Sequence, residues 1–460
     1  MSKFHAAEPH RVAPEGYEPL DLTPERWDDM VTLDEWAFTE PLQSEQRVAL
    51  REAFPWGRGR GMTIADPRLG KPGTLVGIRG SFGLHMVVPG GERIATSALS
   101  WVGVHPGHRR RGILRSMMHD HFARSIERGE YVSSLFAAEP QIYQRFGYGR
   151  AAWHVRATFG RGAELREVPG TTDLTVRLER LSHEAHSELM STVQRQVTRP
   201  GAMVRDSEPL AREMTASEVN DRPSEERLKI AIVSNPAGEP VAYALFRRRV
   251  KWEGYSADGT VTVNEFVTTT GAASRRLWGV LLDLDLSSRV LVTCLPLDDR
   301  LMMLALDQRS PKPVIEDDLW LRILDVRRAL EARTYARPID LVVGVSDAQL
   351  PANQGLWRIA TEPWKATEME PPSNSFTTGA AARHDGAFVA RVSKVADSDR
   401  EPIRVDIRLG IQELSGAYLG GVTIESLTEA GLIEEHTPGA SRLLSAAMQS
   451  AQAPMSSFQF

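Results

Sequence analysis

Trp101-Val102-Gly103-Val104-His105-Pro106-Gly107-His108-Arg109-Arg110-Arg111-Gly112-Ile113-Leu114-Arg115 is the stretch on which the fold turns. An apolar run ends at Val104, a basic loop follows, and a helical pattern opens at Gly112. Over residues 112–127, Ile113, Leu114, Met117, Met118 and Phe122 recur near helical spacing. Residues 95–104 before the loop and 131–137 after the helix read as strands. Strand, turn, helix and strand in close succession make a βαβ-like unit, which sets two strands side by side with the helix packed on them. A helix start presents unpaired N–H groups and a partial positive charge, and so suits phosphate. Gly112 lets a phosphate approach the backbone, and Arg109, Arg110 and Arg111 add charge around it. A solvated basic turn before a surface helix is the plainer alternative. The strand before and the helix after favour a phosphate-bearing ligand.

Upstream, residues 22–54 read mostly helical, with Thr23 as candidate N-cap and Pro24 at the first helical position. Short strands are expected at 61–65, 74–78 and 84–88, separated by Gly/Pro-rich turns as in an antiparallel meander. Downstream, a second version of the pattern appears. Strands at 229–233 and 240–249 flank the turn Asn235-Pro236-Ala237-Gly238, a strand follows at 260–268, a helix at 271–285 and a strand at 288–294. The basic turn does not repeat, because Thr269-Thr270-Gly271-Ala272-Ala273-Ser274 stands in its place. This reads as a degenerate copy of the same fold without the ligand site. From about Asp317 the pattern changes again. Helices are expected at 326–332, 410–418, 425–430 and 439–449, strands at 339–345, 355–361 and 405–409, and a polar loop at 367–385.

With 460 residues the chain exceeds the roughly 250–300 that one core supports, so two or three domains are expected. Apolar residues at 42% and charged residues at 25% fit an ordinary globular protein. A net charge of -5 gives no reason to expect nucleic acid or an acidic membrane as partner. Cys294 is the one cysteine, so no internal disulfide forms, and no Cys/His cluster has zinc-site spacing. Neither a secretory leader nor an apolar run of about 18 residues is visible, which makes the cytoplasm the expected location.

The run Arg109-Arg110-Arg111-Gly112-Ile113-Leu114 resembles the acetyl-CoA motif R/Q-x-x-G-x-G/A of the GNAT N-acetyltransferases, with Leu114 in place of the final small residue. Further blocks narrow the resemblance to the Eis (enhanced intracellular survival) family. Ile142-Tyr143-Gln144-Arg145-Phe146-Gly147-Tyr148-Gly149 fits its I-Y-x-R-F-G-Y-G block. Leu319-Trp320-Leu321-Arg322-Ile323 and Ala329-Leu330-Glu331-Ala332-Arg333 fit the opening of its third domain. The ending Phe458-Gln459-Phe460 looks like its aromatic C-terminus. Blocks in this order span almost the whole chain.

That resemblance implies an α/β (α+β) architecture of two GNAT-like domains followed by a sterol-carrier-like domain, here at 1–160, 161–314 and 315–460. It implies acetyl-CoA as co-substrate, a polycationic amine such as an aminoglycoside as acceptor, and a homohexamer. Trp101, Val102, Gly103 and Val104 would carry the thioester end of the cofactor, Arg109 to Arg115 with Gly112, Ile113 and Leu114 its pyrophosphate, and Ala138 and Glu139 the opposite side. Ala138 stands where a serine is usual in the family. Tyr143 maps onto the general acid, with Tyr148 as its nearest competitor. The C-terminal carboxylate, here of Phe460, maps onto the general base. A free terminal carboxyl has a pKa of about 3.3–3.7, low for a base, and burial among aromatic rings would raise it. Glu40, Trp101 and Asp317 fall at substrate positions, while Gln459 replaces an acidic residue beside the terminal Phe. Protein or peptide N-acetylation, and a lipid-binding protein on a GNAT scaffold, are the alternatives.

Overall fold

Arg93–Val104 is a strand, Ile113–Glu127 a helix and Val132–Leu135 a strand. They lie in a computed structural model that describes residues 13–38, 44–216, 226–364, 387–395 and 404–460. The two strands pair in parallel through Thr96↔Val132, Ser97↔Ser133 and Ala98↔Ser134. Parallel pairing follows from the intervening helix, which buries Ile113, Met117, Met118 and Phe122.

These strands form the middle of an eight-stranded sheet. Its order is Tyr17–Asp21, Arg60–Ile64, Leu75–Val87, Arg93–Val104, Val132–Leu135, Trp320–Ile323 and Gly149–Arg150, with Met203–Val204 paired to Leu75–Val87 off this path. The strands expected at 74–78 and 84–88 are one continuous strand. Gly80 is not a turn residue: the Phe54 ring lies 3.1 Å from where its Cβ would stand, and a bulge between Ile78 and Gly80 keeps the chain extended. The helical segment near the start is divided into the short 3-10 turn Pro24–Arg26 and the helices Trp27–Phe38 and Ser44–Ala53. Thr23 precedes that turn without a side-chain capping bond.

A second sheet runs Val314–Asp317, Trp153–Gly160, Ser287–Leu295, Gly259–Thr268, Pro240–Arg249, Lys229–Ser234 and Thr175–Arg180. Its unit of Gly259–Thr268, helix Gly271–Leu281 and Ser287–Leu295 again pairs the two strands in parallel. A third sheet runs Thr334–Tyr335, Phe388–Val395, Gly355–Pro363, Asp340–Ser346, Ile407–Gly410 and Glu434–Glu435. Val326–Ala332, Ile411–Ala417, Ile424–Glu429 and Ala440–Met448 are the helices that follow Trp320–Ile323. The loop expected at 367–385 lies outside the described residues. Among the described residues no helix is long and apolar enough to cross a membrane.

The first and third sheets share one apolar core, in which Phe82, Leu84 and Leu321 pack in the same cluster as Leu341, Trp357 and Leu444. Trp320–Ile323 enters the first sheet between Val132–Leu135 and Gly149–Arg150. Arg322, fully buried, donates two 2.7 Å bonds to Asp347 and one of 2.7 Å to the Phe146 carbonyl. This ties the turn after Tyr143 to the third sheet. A Cβ at Gly149 would fall 2.1 Å from the Gln412 carbonyl oxygen and 2.5 Å from the Gly416 nitrogen. Backbone cannot yield as a side chain does, so Gly149→Ala is expected to destabilise the protein by about 1–3 kcal/mol or more. A lowered Tm in calorimetry checks this, and an unchanged Tm would contradict the close approach.

Candidate active site

The helix Ile113–Glu127 starts without a side-chain cap. Gly112 occupies its N-cap position at φ +85° and contributes no hydrogen-bonding side chain. Arg110 is also left-handed, at φ +61°. Arg109, Arg110, Arg111 and Arg115 are exposed and make no side-chain hydrogen bond or ion pair with the described residues. The loop itself is pinned: Tyr17 Oη bonds His108 Nδ1 at 2.9 Å, and the Gly107 N–H donates to His105 Nδ1 at 3.1 Å. Burial, then the neighbouring His105 and Arg111, lowers the His108 pKa, so arginines carry the positive charge here. The degenerate copy differs at this point. Its helix starts at Thr270, whose hydroxyl accepts the Ala273 N–H at 3.1 Å and fills the helix start from within.

Pairing between the two parallel strands stops at Ala98↔Ser134. Beyond it they splay, and residues 99–104 have no partner on that side among the described residues. On the other side the register jumps between Gly80↔Ser100 and Ile78↔Gly103, with Trp101 at φ +55°. Such a bulge re-aims the backbone of Trp101, Val102, Gly103 and Val104. The Trp101 ring packs with Trp27 at 5.7 Å and Phe54 at 5.6 Å between ring centroids, and it does not line the large cavity described below. Ala138 and Glu139 are exposed just past the other arm of the splay, where Glu139 stands at the N-cap position of the short helix Pro140–Gln144 without a side-chain capping bond.

Tyr143 lies on that helix, half-buried, with its ring edge-on to Tyr148 at 6.0 Å. Its hydroxyl makes no hydrogen bond with the described residues. Burial, then the Glu139 carboxylate, pushes its pKa up to about 12. Tyr148 is fully buried, and its hydroxyl is committed to Ser133 Oγ at 2.7 Å.

The C-terminal tail closes the splay. Ser100 Oγ donates to the main-chain oxygen of Phe460 at 3.3 Å, and the Phe460 ring meets Phe136 at 5.0 Å. Upstream, Asp318 accepts the Ser456 N–H at 2.9 Å, Ser457 Oγ accepts the Met203 N–H at 3.1 Å, and Arg205 stacks 3.7 Å over the Phe458 ring. These contacts give the tail a defined path.

A cavity of about 660 Å³ opens beside the tail. Ser456 to Phe460, including Gln459, form one side. Asn264, Glu265, Thr293 and Cys294 line another, just past Val263↔Val292, where the parallel pair of the second sheet also stops. Four carboxylates reach it: Glu213, Glu265, Glu316 and Asp318. Glu265 is held by Arg205 at 2.7 and 2.8 Å and by Tyr243 Oη at 2.6 Å. Glu316 is held by Arg156 at 3.1 and 3.0 Å.

The structure packs Val102, Leu114 and Tyr143 against one apolar cluster and ties Phe460 to Ser100 and Phe136. Asp317 is not part of the cavity wall. It accepts the Trp320 Nε1–H at 2.7 Å, while its neighbours Glu316 and Asp318 line the cavity. Successive strand residues point to opposite faces, which is the signal that separates them. Glu40 lies outside the described residues. Ser100, Phe136, His154, Glu316 and Asp318 were not singled out by the sequence.

Residues 19–151 and 201–327 each match the acetyltransferase (GNAT) domain, and residues 326–457 match the sterol carrier protein domain. An uncharacterized N-acetyltransferase of Streptomyces coelicolor is 31% identical over 443 residues, covering 92% of this chain and 94% of its own. N-acetyltransferase Eis of Mycobacterium tuberculosis is 30% identical over 423 residues, covering 88% of this chain and 98% of its own. The crystal structure of Eis1 from Mycobacterium abscessus aligns with a TM-score of 0.73 at 27% identity, over 96% of this chain and 100% of that one. A GCN5-related N-acetyltransferase from Anabaena variabilis shares the fold, with a TM-score of 0.73 at 17% identity over 96% of this chain and 100% of that one.

Proposed function

This chain belongs to the Eis family of N-acetyltransferases, and from that premise we propose that it moves an acetyl group from acetyl-CoA to an amine of a polycationic small molecule such as an aminoglycoside. It is an acetyltransferase built of two GNAT domains and a sterol carrier protein domain. The observation that carries the finer reading is the Ser100–Phe460 hydrogen bond. It sets the end of the tail in the mouth of the splay, between an uncapped helix start and a cavity rich in carboxylates.

The residues at the splay fit the co-substrate. Gly112, with Ile113, Leu114 and the guanidinium groups of Arg109, Arg110, Arg111 and Arg115, would hold its pyrophosphate. The edge of Trp101, Val102, Gly103 and Val104 would hold its amide arm, and Ala138 and Glu139 would flank it. When bound, acetyl-CoA supplies an acetyl thioester. The terminal carboxylate of Phe460 takes a proton from the attacking amine, and Tyr143 Oη gives one to the departing sulfur. Glu316 and Asp318 face the acceptor, with Asp317 behind them. Glu40 and Trp101 complete the acceptor side by family resemblance. Exposed Met303, Leu306, Val314 and Ile315 give the proposed homohexamer apolar surface to bury.

Thiol release from acetyl-CoA, measured over aminoglycosides, polyamines and peptides, tests this reading. Turnover with the polycationic amines is the expected result. Turnover with peptides alone would move the acceptor to protein, and no turnover together with no acetyl-CoA binding would overturn the reading.

A further inference from the structure

His154 sits in the acceptor cavity between two carboxylates. It lies on Trp153–Gly160, flanked by Ser287–Leu295 and Val314–Asp317, and is 8% exposed. Nε2 is 3.4 Å from Glu316 Oε2, and Nδ1 is 3.6 Å from Asp318 Oδ1. Nδ1 finds no hydrogen-bond partner, although it is buried. A buried ring nitrogen left unpaired beside a cavity is a costly arrangement, and it is relieved when a ligand or a proton adds to the site.

We propose that His154 is an internal competitor for the acceptor: as an imidazolium it supplies to Asp318 and Glu316 the positive charge that a second ammonium of the acceptor supplies when the ring is neutral. This rests on reading the cavity as the acceptor site. The surrounding charges are consistent with it. Arg156, on the same strand, engages Glu316 from the side. Cys294 on the neighbouring strand is a thiol pushed up to about 12 by burial, and so is uncharged. Across the cavity Arg205 and Glu265 satisfy each other, Glu213 adds a carboxylate, and the end of the tail at Phe460 adds another. Asp318 also holds the Ser456 N–H, so a cation at Asp318 rests against the tail that carries Phe460.

The sign follows from the local charges. Asp318, then Glu316, raises the His154 pKa from the usual 6.5, and burial opposes them. Below the folded pKa the ring is charged and the two carboxylates are already balanced. Above it that charge is gone, and a second ammonium supplies it, while Glu316 keeps its bonds to Arg156 and Asp318 keeps the Ser456 N–H. Proton and diamine thus exclude each other, and linkage makes the effect reciprocal.

The full-length protein is assayed with 1,5-diaminopentane against pentylamine as acceptors. In the wild type the KM for the diamine is expected to rise relative to that for the monoamine, by up to about tenfold per pH unit below the His154 pKa. In His154→Gln that ratio is expected to be low and flat with pH, and in His154→Lys high and flat, whatever either change does to monoamine kcat. A His154→Gln profile that matches the wild type overturns the proposal. Ring titration by NMR, with the resonance assigned in the wild type by through-bond correlation, decides it even where variants fold poorly. Saturating diamine should lower the wild-type His154 midpoint and pentylamine should not, and an unmoved midpoint overturns the proposal. A wild type that acetylates no amine sinks the functional reading instead, and the ring titration still judges this one.

Discussion

Tyr143→Phe is expected to lower kcat by about 10²–10⁴-fold, the usual weight of one positioned general acid, if the phenol serves as proposed. The change removes one oxygen and no packing, because the ring keeps its edge contact with Tyr148 and its place in the apolar cluster beside Phe146. KM for acetyl-CoA should move little, since the proposed pyrophosphate site lies elsewhere, at the loop at 109–112. Tyr148 cannot stand in for it, being fully buried with its hydroxyl committed to Ser133. With burial and Glu139 pushing Tyr143 up to about 12, the acid form persists through the neutral range. An alkaline fall in rate between pH 7 and 9 therefore does not come from this phenol. Steady-state thiol release at saturating acetyl-CoA checks the effect, and a rate near that of the wild type would remove Tyr143 from the chemistry.

Much of the first domain was legible because its signals are local. The apolar spacing from Ile113 to Phe122, the glycine at the helix start and the apolar runs on either side each act within a few residues. The second copy was readable for the same reason, with the missing basic turn and its replacement by Thr270 visible as text. What escaped depends on pairing between distant segments. Trp320–Ile323, which by resemblance opens the third domain, pairs within the first sheet between Val132–Leu135 and Gly149–Arg150, and Leu321 and Ile323 belong to a core shared with Val132. The gap between the strands expected at 74–78 and 84–88 is itself strand, where the Phe54 ring lies against Gly80. The large cavity is lined by Glu316 and Asp318, the neighbours of Asp317. Three consecutive acids give no hint in sequence of which face each takes.

The two GNAT domains divide the work along the same structural line. Each carries a parallel pair that parts partway along, at Ala98↔Ser134 in one and Val263↔Val292 in the other. In the first the helix start beside the gap is open. In the second Thr270 closes it, and residues just past the gap become cavity wall. The tail crosses from one to the other, pinned at Met203 and Asp318 before it reaches Ser100. A fold duplicated in this way would set the proposed cofactor cleft and the proposed acceptor cavity beside one short peptide, which lines the cavity from Ser456 to Phe460.

Deleting Phe460 should lower kcat by about as much as losing Tyr143, again roughly 10²–10⁴-fold, because it removes the proposed base from the mouth of the splay. Deletion alone is ambiguous, as it also removes the ring packed on Phe136. A single glycine added after Phe460 separates the two effects: the ring and its neighbours stay, while the terminal charge is displaced by one residue. If the carboxylate is the base, the extended chain is nearly as slow as the truncated one. If the ring is what matters, the extended chain retains most of its rate. The pH dependence has a sign of its own, because a carboxylate base works only when ionised. The wild-type rate should fall as pH drops through the pKa of that group, and the extended chain should lose this acid limb. Wild-type turnover in the extended chain, with the acid limb intact, would show that the proton leaves the amine by another route.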